Sequence, residues 1–122
     1  MGNTVNKLIQ ASANVDSVLF KALFAPESIA LIGASGDESK HTSLPQRYLR
    51  KHGFKGAIFP VNPSRDEIFG ERAYPSVDKI PQAVDHAFIM LPAKLVPDAV
   101  EQCAAHHVRC ATIFSAGFAE IG

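Results

Sequence analysis

The stretch Ser28-Ile29-Ala30-Leu31-Ile32-Gly33-Ala34-Ser35-Gly36 decides how this chain is read. A short aliphatic run of the kind buried on both faces of a sheet empties directly into small residues and glycine. A parallel strand ends this way where a ligand approaches the backbone. Gly33 and Gly36 reach conformations that a Cβ denies, while Ala34 and Ser35 keep the turn low. Successive N–H groups in such a turn, backed by the N-terminus of the next helix, form an anion-binding concavity. The stretch therefore points to a phosphate-bearing ligand, against a purely structural strand-to-helix corner as the plainer reading. Gly-Ala-Ser-Gly is not the full Gly-x-Gly-x-x-Gly fingerprint.

Upstream, Val15, Val18, Leu19, Ala22 and Leu23 fall on one helix face, and Pro26 stops that helix. Residues 1–14 read as a weakly patterned N-terminal extension, and 15–122 as one domain. Downstream, 36–42 is a polar loop carrying Lys40 and His41. Ser43 three residues before Gln46 is a capping-box pattern, opening a helix that runs to His52 with Gly53 as its stop. Ala57-Ile58-Phe59 is the core of a second strand towards Val61, broken by Pro60-Val61-Asn62-Pro63 because two prolines do not belong in a central ladder. Ile68-Phe69-Gly70 with Ala73-Tyr74-Pro75 reads as a short strand and turn over the sheet edge. Val84 to Met90 is a buried strand ended by Leu91-Pro92. Pro97 opens a helix with Ala99, Val100, Cys103 and Ala104 on one face, ending near His107. Cys110 opens the last, buried strand, which runs through Phe114 into Ser115-Ala116-Gly117-Phe118.

The order strand, helix, strand, strand, helix, strand predicts an α/β fold, Rossmann-like, with a mostly parallel sheet flanked by helices. Ligands bind beyond the carboxyl ends of such strands, which selects the loops 33–43, 60–65, 91–97 and 115–118. Twelve basic and twelve acidic residues balance to zero, which points to no nucleic-acid partner and no membrane surface. No run approaches a membrane span, and the first residues lack a signal-peptide pattern. Cys103 and Cys110 make neither a disulfide framework nor a metal motif, so a reducing cytoplasmic setting and no metal site are expected.

These residues resemble the CoA-binding domain of NDP-forming acyl-CoA synthetases, related to the succinyl-CoA synthetase α-subunit. The resemblance runs through residues 23–35, Gly53-Phe54-Lys55-Gly56, Pro60-Val61-Asn62-Pro63, Ala73-Tyr74-Pro75-Ser76-Val77, Leu91-Pro92-Ala93 and Ser115-Ala116-Gly117-Phe118, in the family's order and spacing. It implies that the turn of Gly33, Ala34, Ser35 and Gly36 cradles the phosphates of coenzyme A, and Lys40 on the loop that follows is a candidate phosphate contact. It implies that Val61, Asn62, Pro63 and the following basic residue Arg65 face the nucleotide, and that Pro92, Ala93, Ser115, Ala116 and Gly117 line the pantetheine side. No residue of this stretch is implied to be catalytic. The chain departs from the family at His41-Thr42-Ser43, where relatives often carry more glycine. The resemblance also implies that the chain is the first domain of a longer ligase and lacks its last strand. The missing domains or subunits would handle ATP or GTP and a phosphorylated histidine.

The residues themselves separate CoA from NAD. A dinucleotide site places a carboxylate at the end of the second strand to take the ribose hydroxyls. Here that strand ends Phe59-Pro60-Val61-Asn62 with Arg65 nearby, which suits a phosphorylated ribose: the 3′-phosphate of CoA or the 2′-phosphate of NADP. An NADP-binding domain of an oxidoreductase thus stands as the alternative, and a CoA-sensing regulatory or protein acetyltransferase module as another. Lys40 and Arg65 have plainer readings as solvated lysine and as a surface pair with Asp66 or Glu67. His41 reads as a loop residue and His106-His107 as a favourable helix-end interaction. Cys103 and Cys110 read as small core hydrophobes. Ser35 and Ser115 sit in no nucleophile elbow.

Overall fold

The computed structural model describes residues 19 and 21–114. Four strands form one sheet in the order β2-β1-β5-β6: β1 (Ser28–Ile32), β2 (Ala57–Val61), β5 (His86–Ile89) and β6 (Cys110–Ile113), all parallel. Helix α1 (Leu44–Lys51) connects β1 to β2, and α2 (Val96–Ala105) connects β5 to β6. Between β2 and β5, β3 (Glu67–Ile68) and β4 (Glu71–Arg72) make a small antiparallel hairpin. This is the parallel α/β sheet expected from the alternation of strand and helix, with its single chain reversal beside β1.

Hydrophobic packing covers β1 from both sides. On one face Ala30, Ile32, Phe59, Val61, Ala87 and Ile89 pack under Ala99 and Cys103 of α2 and under Val77, Ile80 and Val84. On the other, Ile29, Leu31, Ile58 and Met90 meet Ile68 and Ala73 of the hairpin segment, with Leu49 of α1 and Phe54 against them. An unbroken aliphatic run is what a strand with two covered faces requires. Among the described residues no helix is long and apolar enough to cross a membrane.

Several local expectations are corrected. Ser43 and Gln46 form no capping box: Ser43 has helical dihedrals and no side-chain cap bond, because a 3₁₀ turn at His41–Ser43 precedes α1. Its hydroxyl donates to the Lys40 carbonyl at 2.8 Å. Gln46 is buried and donates to the Ile68 carbonyl at 2.9 Å and to Glu71 at 3.0 Å, tying α1 to the hairpin. Pro60 does not end β2. The strand passes through it, with the Pro60 carbonyl accepting from Tyr74 N–H on the outer side, where the absent donor breaks no ladder bond. The strand drawn from Val84 is regular only over His86–Ile89, although Val84 is buried. Val100 and Ala104 are exposed, so the buried stripe of α2 is Ala99 and Cys103. Cys110 opens β6, which among the described residues has a strand neighbour on one side only, and is half-buried. Gly53, at φ +83, follows α1 as its stop. His106 donates from Nε2 to the Gln82 carbonyl at 3.1 Å, a specific bond in place of a general helix-end interaction.

Candidate ligand site at the carboxyl edge of the sheet

Because the strands are parallel, the turns after β1, β2 and β5 open on one edge. The first turn is fixed by its neighbours. Gly33 sits at φ +93, and a Cβ there would lie 2.2 Å from the Met90 carbonyl oxygen. Its N–H donates to Val61 O at 3.0 Å, so this glycine lets β1 exit between β2 and β5. Ala34 is buried, and its N–H bonds Leu31 O at 3.3 Å. Beyond it the loop orders itself. Asp37 N–H donates to Ser35 Oγ at 3.0 Å, and Asp37 Oδ1 accepts from the N–H and hydroxyl of Ser39 at 2.9 and 2.7 Å. The Ser39 hydroxyl, then the Ser39 N–H, hold the Asp37 carboxyl below its ordinary range. The N–H groups of Ser35 and Gly36 have no acceptor among the described residues.

The second turn is joined to the first by Asn62. Its side-chain amide donates to the Ala34 carbonyl at 2.9 Å, its Oδ1 accepts from Ser64 N–H at 2.8 Å, and its own N–H reaches Tyr74 O at 2.9 Å. Arg65 is thereby carried across the glycine turn, its guanidinium 3.5 Å from where a Gly36 Cβ would stand. Among the described residues Arg65 pairs with neither Asp66 nor Glu67. The Arg65 guanidinium thus stands beside Gly36, in a turn whose Ser35 and Gly36 N–H groups have no acceptor among the described residues. That arrangement fits an anion such as a phosphate group.

Val61 is buried at the end of β2, whereas Pro63 and Arg65 are exposed on the loop that follows. Lys40 is exposed at the far end of the glycine loop, its carbonyl holding the 3₁₀ turn before α1. Pro92 and Ala93 are exposed beyond β5, where Pro92 precedes the 3₁₀ turn Ala93–Leu95. Ser115, Ala116 and Gly117 lie outside the described residues. The chain reaches them from Phe114, whose N–H donates to Ile89 O at 2.7 Å at the end of β5. Residue spacing alone did not reveal the Asn62–Ala34 bond or the Met90 carbonyl beneath Gly33; each spans more than 25 residues of sequence. Among the described residues no cluster of three or more His, Cys, Asp or Glu is placed to hold a metal.

Comparison with known proteins places the chain in a family. A family model described as "CoA binding domain" matches residues 27–120. An ADP-forming acetate–CoA ligase I of Archaeoglobus fulgidus is 49% identical over 100 residues, covering 82% of this chain and 14% of that protein. The α subunit of ADP-forming acetate–CoA ligase I of Pyrococcus furiosus is 42% identical over 106 residues, covering 84% of this chain and 23% of the subunit. Among solved structures, the apo form of a dinucleotide-forming acetyl-coenzyme A synthetase 1 from Ca. Korarchaeum cryptofilum superposes with a TM-score of 0.78 at 40% identity, over 84% of this chain and 22% of that one. The chain thus spans between about a seventh and a quarter of these relatives' length. With the sheet order, the glycine turn and the match from Glu27 onward in agreement, this chain belongs to the CoA-binding domain family found in NDP-forming acyl-CoA synthetases.

Proposed function

We propose that this domain holds coenzyme A or an acyl-CoA at the carboxyl edge of its sheet, and that it serves a longer acyl-CoA ligase. The observation that carries the reading is the Arg65 guanidinium beside Gly36, in a turn whose Ser35 and Gly36 N–H groups have no acceptor among the described residues and which the Asn62–Ala34 bond ties to the loop after β2. Gly33 to Gly36 would take the phosphates, and Lys40 adds positive charge at the far end of the same loop. Asn62 and Pro63 shape the nucleotide side, and Arg65 suits a phosphorylated ribose. Pro92 and Ala93, with Ser115, Ala116 and Gly117, would line the pantetheine side.

In the whole enzyme, other domains or subunits would activate a carboxylic acid as an acyl phosphate at the expense of ATP or GTP. The contribution of this domain is to present the thiol in a fixed position, which is catalysis by proximity. A cytoplasmic setting is consistent with Cys103 and Cys110 being free thiols.

Isothermal titration calorimetry tests the reading with CoA, dephospho-CoA, NADPH and NADH as ligands. Saturable binding of CoA is expected, weaker binding of dephospho-CoA, and a loss of roughly tenfold or more in CoA affinity for Arg65→Glu, about 1.4 kcal/mol. No heat with CoA together with saturable binding of NADPH would overturn it.

A further inference from the structure

Arg65 stands midway between two anchors in the chain. Before it, Asn62 bonds the Ala34 carbonyl of the glycine turn. After it, the carbonyl of the fully buried Ile68 accepts from Gln46 Nε2 of α1 at 2.9 Å. Glu71, the partner of Ile68 in the hairpin, reinforces this second anchor. It presents one carboxylate oxygen to Gln46 at 3.0 Å and the other to Arg50. Gln46 and Arg50 are one helical turn apart on α1, so they reach the hairpin from the same helix face. Arg50 also donates to the carbonyls of Phe54 and Gly56, which fixes the clasp to the chain entering β2. On the glycine-loop side, Arg47 of α1 reaches the Glu38 carbonyl at 3.4 Å. One helix thus touches both the loop that ends the glycine turn and the hairpin into which Arg65 leads.

Gln46 is 1% exposed, and filling space does not explain it. Its partners, a carbonyl and an ionised carboxylate, can only accept, so Nε2 must face them. Oε1 is left buried, with no donor among the described residues. A buried amide is costly unless its polar atoms are paired, whereas leucine would fill the space with none to pair. What the amide supplies is its hold on the hairpin. Without that hold the hairpin is free to shift against α1, and the loop of Arg65 shifts with it. We propose that Gln46, acting with Glu71, is a positioning residue of the ligand site: it fixes the reach of Arg65 over Gly36 and so sets the preference for a phosphorylated ribose. The inference rests on the CoA reading above and extends it to two residues that themselves touch no ligand.

The test is titration calorimetry of the full 122-residue chain with CoA and dephospho-CoA, read as the ratio of the two dissociation constants. Arg65→Ala defines the ratio that remains when the guanidinium is gone. Gln46→Leu should lower the wild-type ratio roughly fivefold towards that value, with dephospho-CoA affinity changed less than about twofold. In the Arg65→Ala background, Gln46→Leu should lower the ratio no further, because both residues act through one contact. Glu71→Gln turns one of the two accepting oxygens into a donor that faces a donor, so it should lower the ratio in the same direction. That variant, at a partly exposed side chain, carries the test if circular dichroism shows Gln46→Leu to fold poorly. A folded variant that keeps the wild-type ratio would overturn the proposal and leave the CoA reading intact. Equal weakening of both ligands, the mark of a general loosening, would do the same. Absence of CoA binding, or a ratio indifferent to Arg65→Ala, would remove the CoA reading and the proposal with it.

Discussion

β1 and β6 are both short parallel strands of one sheet, yet they occupy opposite situations. From Ile29 to Ile32 every residue of β1 is buried, with neighbouring strands on both sides and packing on both faces. In β6 no residue is fully buried, Ile113 is 45% exposed, and β5 is its single strand neighbour among the described residues. The turns proposed for the ligand lie on the well-packed side. A phosphate bound there would need contacting atoms held still, and the surrounding core supplies such rigidity. The β6 side has fewer partners within the described residues, and an apolar groove lined by Phe88 and Phe114 lies there.

Substitutions graded across the two sides test this contrast. Gly33→Ala should cost the most, about 4 kcal/mol in denaturant unfolding, because the new methyl meets the Met90 carbonyl and φ is positive. A loss below about 1 kcal/mol would mean that the exit of β1 is far more pliable than described. Next, Leu31→Ala in β1 should lose about 3 kcal/mol and Ile113→Ala in β6 less than about 1. Equal losses would erase the contrast. Asn62→Ala removes the amide that joins the two turns and should cost about 1–2 kcal/mol. CoA affinity should fall with it, since Arg65 is no longer held over Gly36; titration calorimetry reads both parts. The smallest effect belongs to Asp37. Its carboxyl is held below the ordinary range by Ser39, so its contribution is present above the unfolded carboxylate pKa and is lost as pH falls through the folded value. In an NMR titration, Ser39→Ala, which removes the hydroxyl and keeps the N–H, should raise the Asp37 pKa part of the way towards the usual range with little change in melting temperature. An unchanged Asp37 would show that other groups set its charge.

Much of the architecture was legible because it rests on local rules. The aliphatic run into Gly33, the stop at Gly53 and the alternation of strand and helix each leave a signature within a few residues. The site was legible as a set of loops but not as a set of bonds. Gln46 shows why: its spacing from Ser43 matches a capping box, but a deeper partner, the hairpin carbonyl of Ile68, lies 22 residues on. Arg50, in the last turn of α1, pairs with Glu71 and donates to the carbonyls of Phe54 and Gly56 at 2.7 and 3.1 Å. Val100 misled because a helix on a sheet buries a narrow stripe, and which neighbours fall inside it depends on the tilt of the helix. Pro60 was read as a terminator without knowing that β2 would be an edge. Tertiary partners decided each of these cases, and sequence spacing does not show them.

The imidazole of His86 has a consequence for the order of assembly. Its Nδ1 meets a carbonyl, which can only accept, so in the neutral ring that nitrogen carries the proton and Nε2 accepts from the Thr112 hydroxyl, 2.7 Å away. One ring thus rivets Ala22 to β5 and β5 to β6, across sequence separations of 64 and 26 residues. The turn before β1, although it is made early along the chain, cannot lock until two later strands have paired. Refolding followed by pulsed hydrogen exchange should therefore see that turn protected last, after β5 and β6.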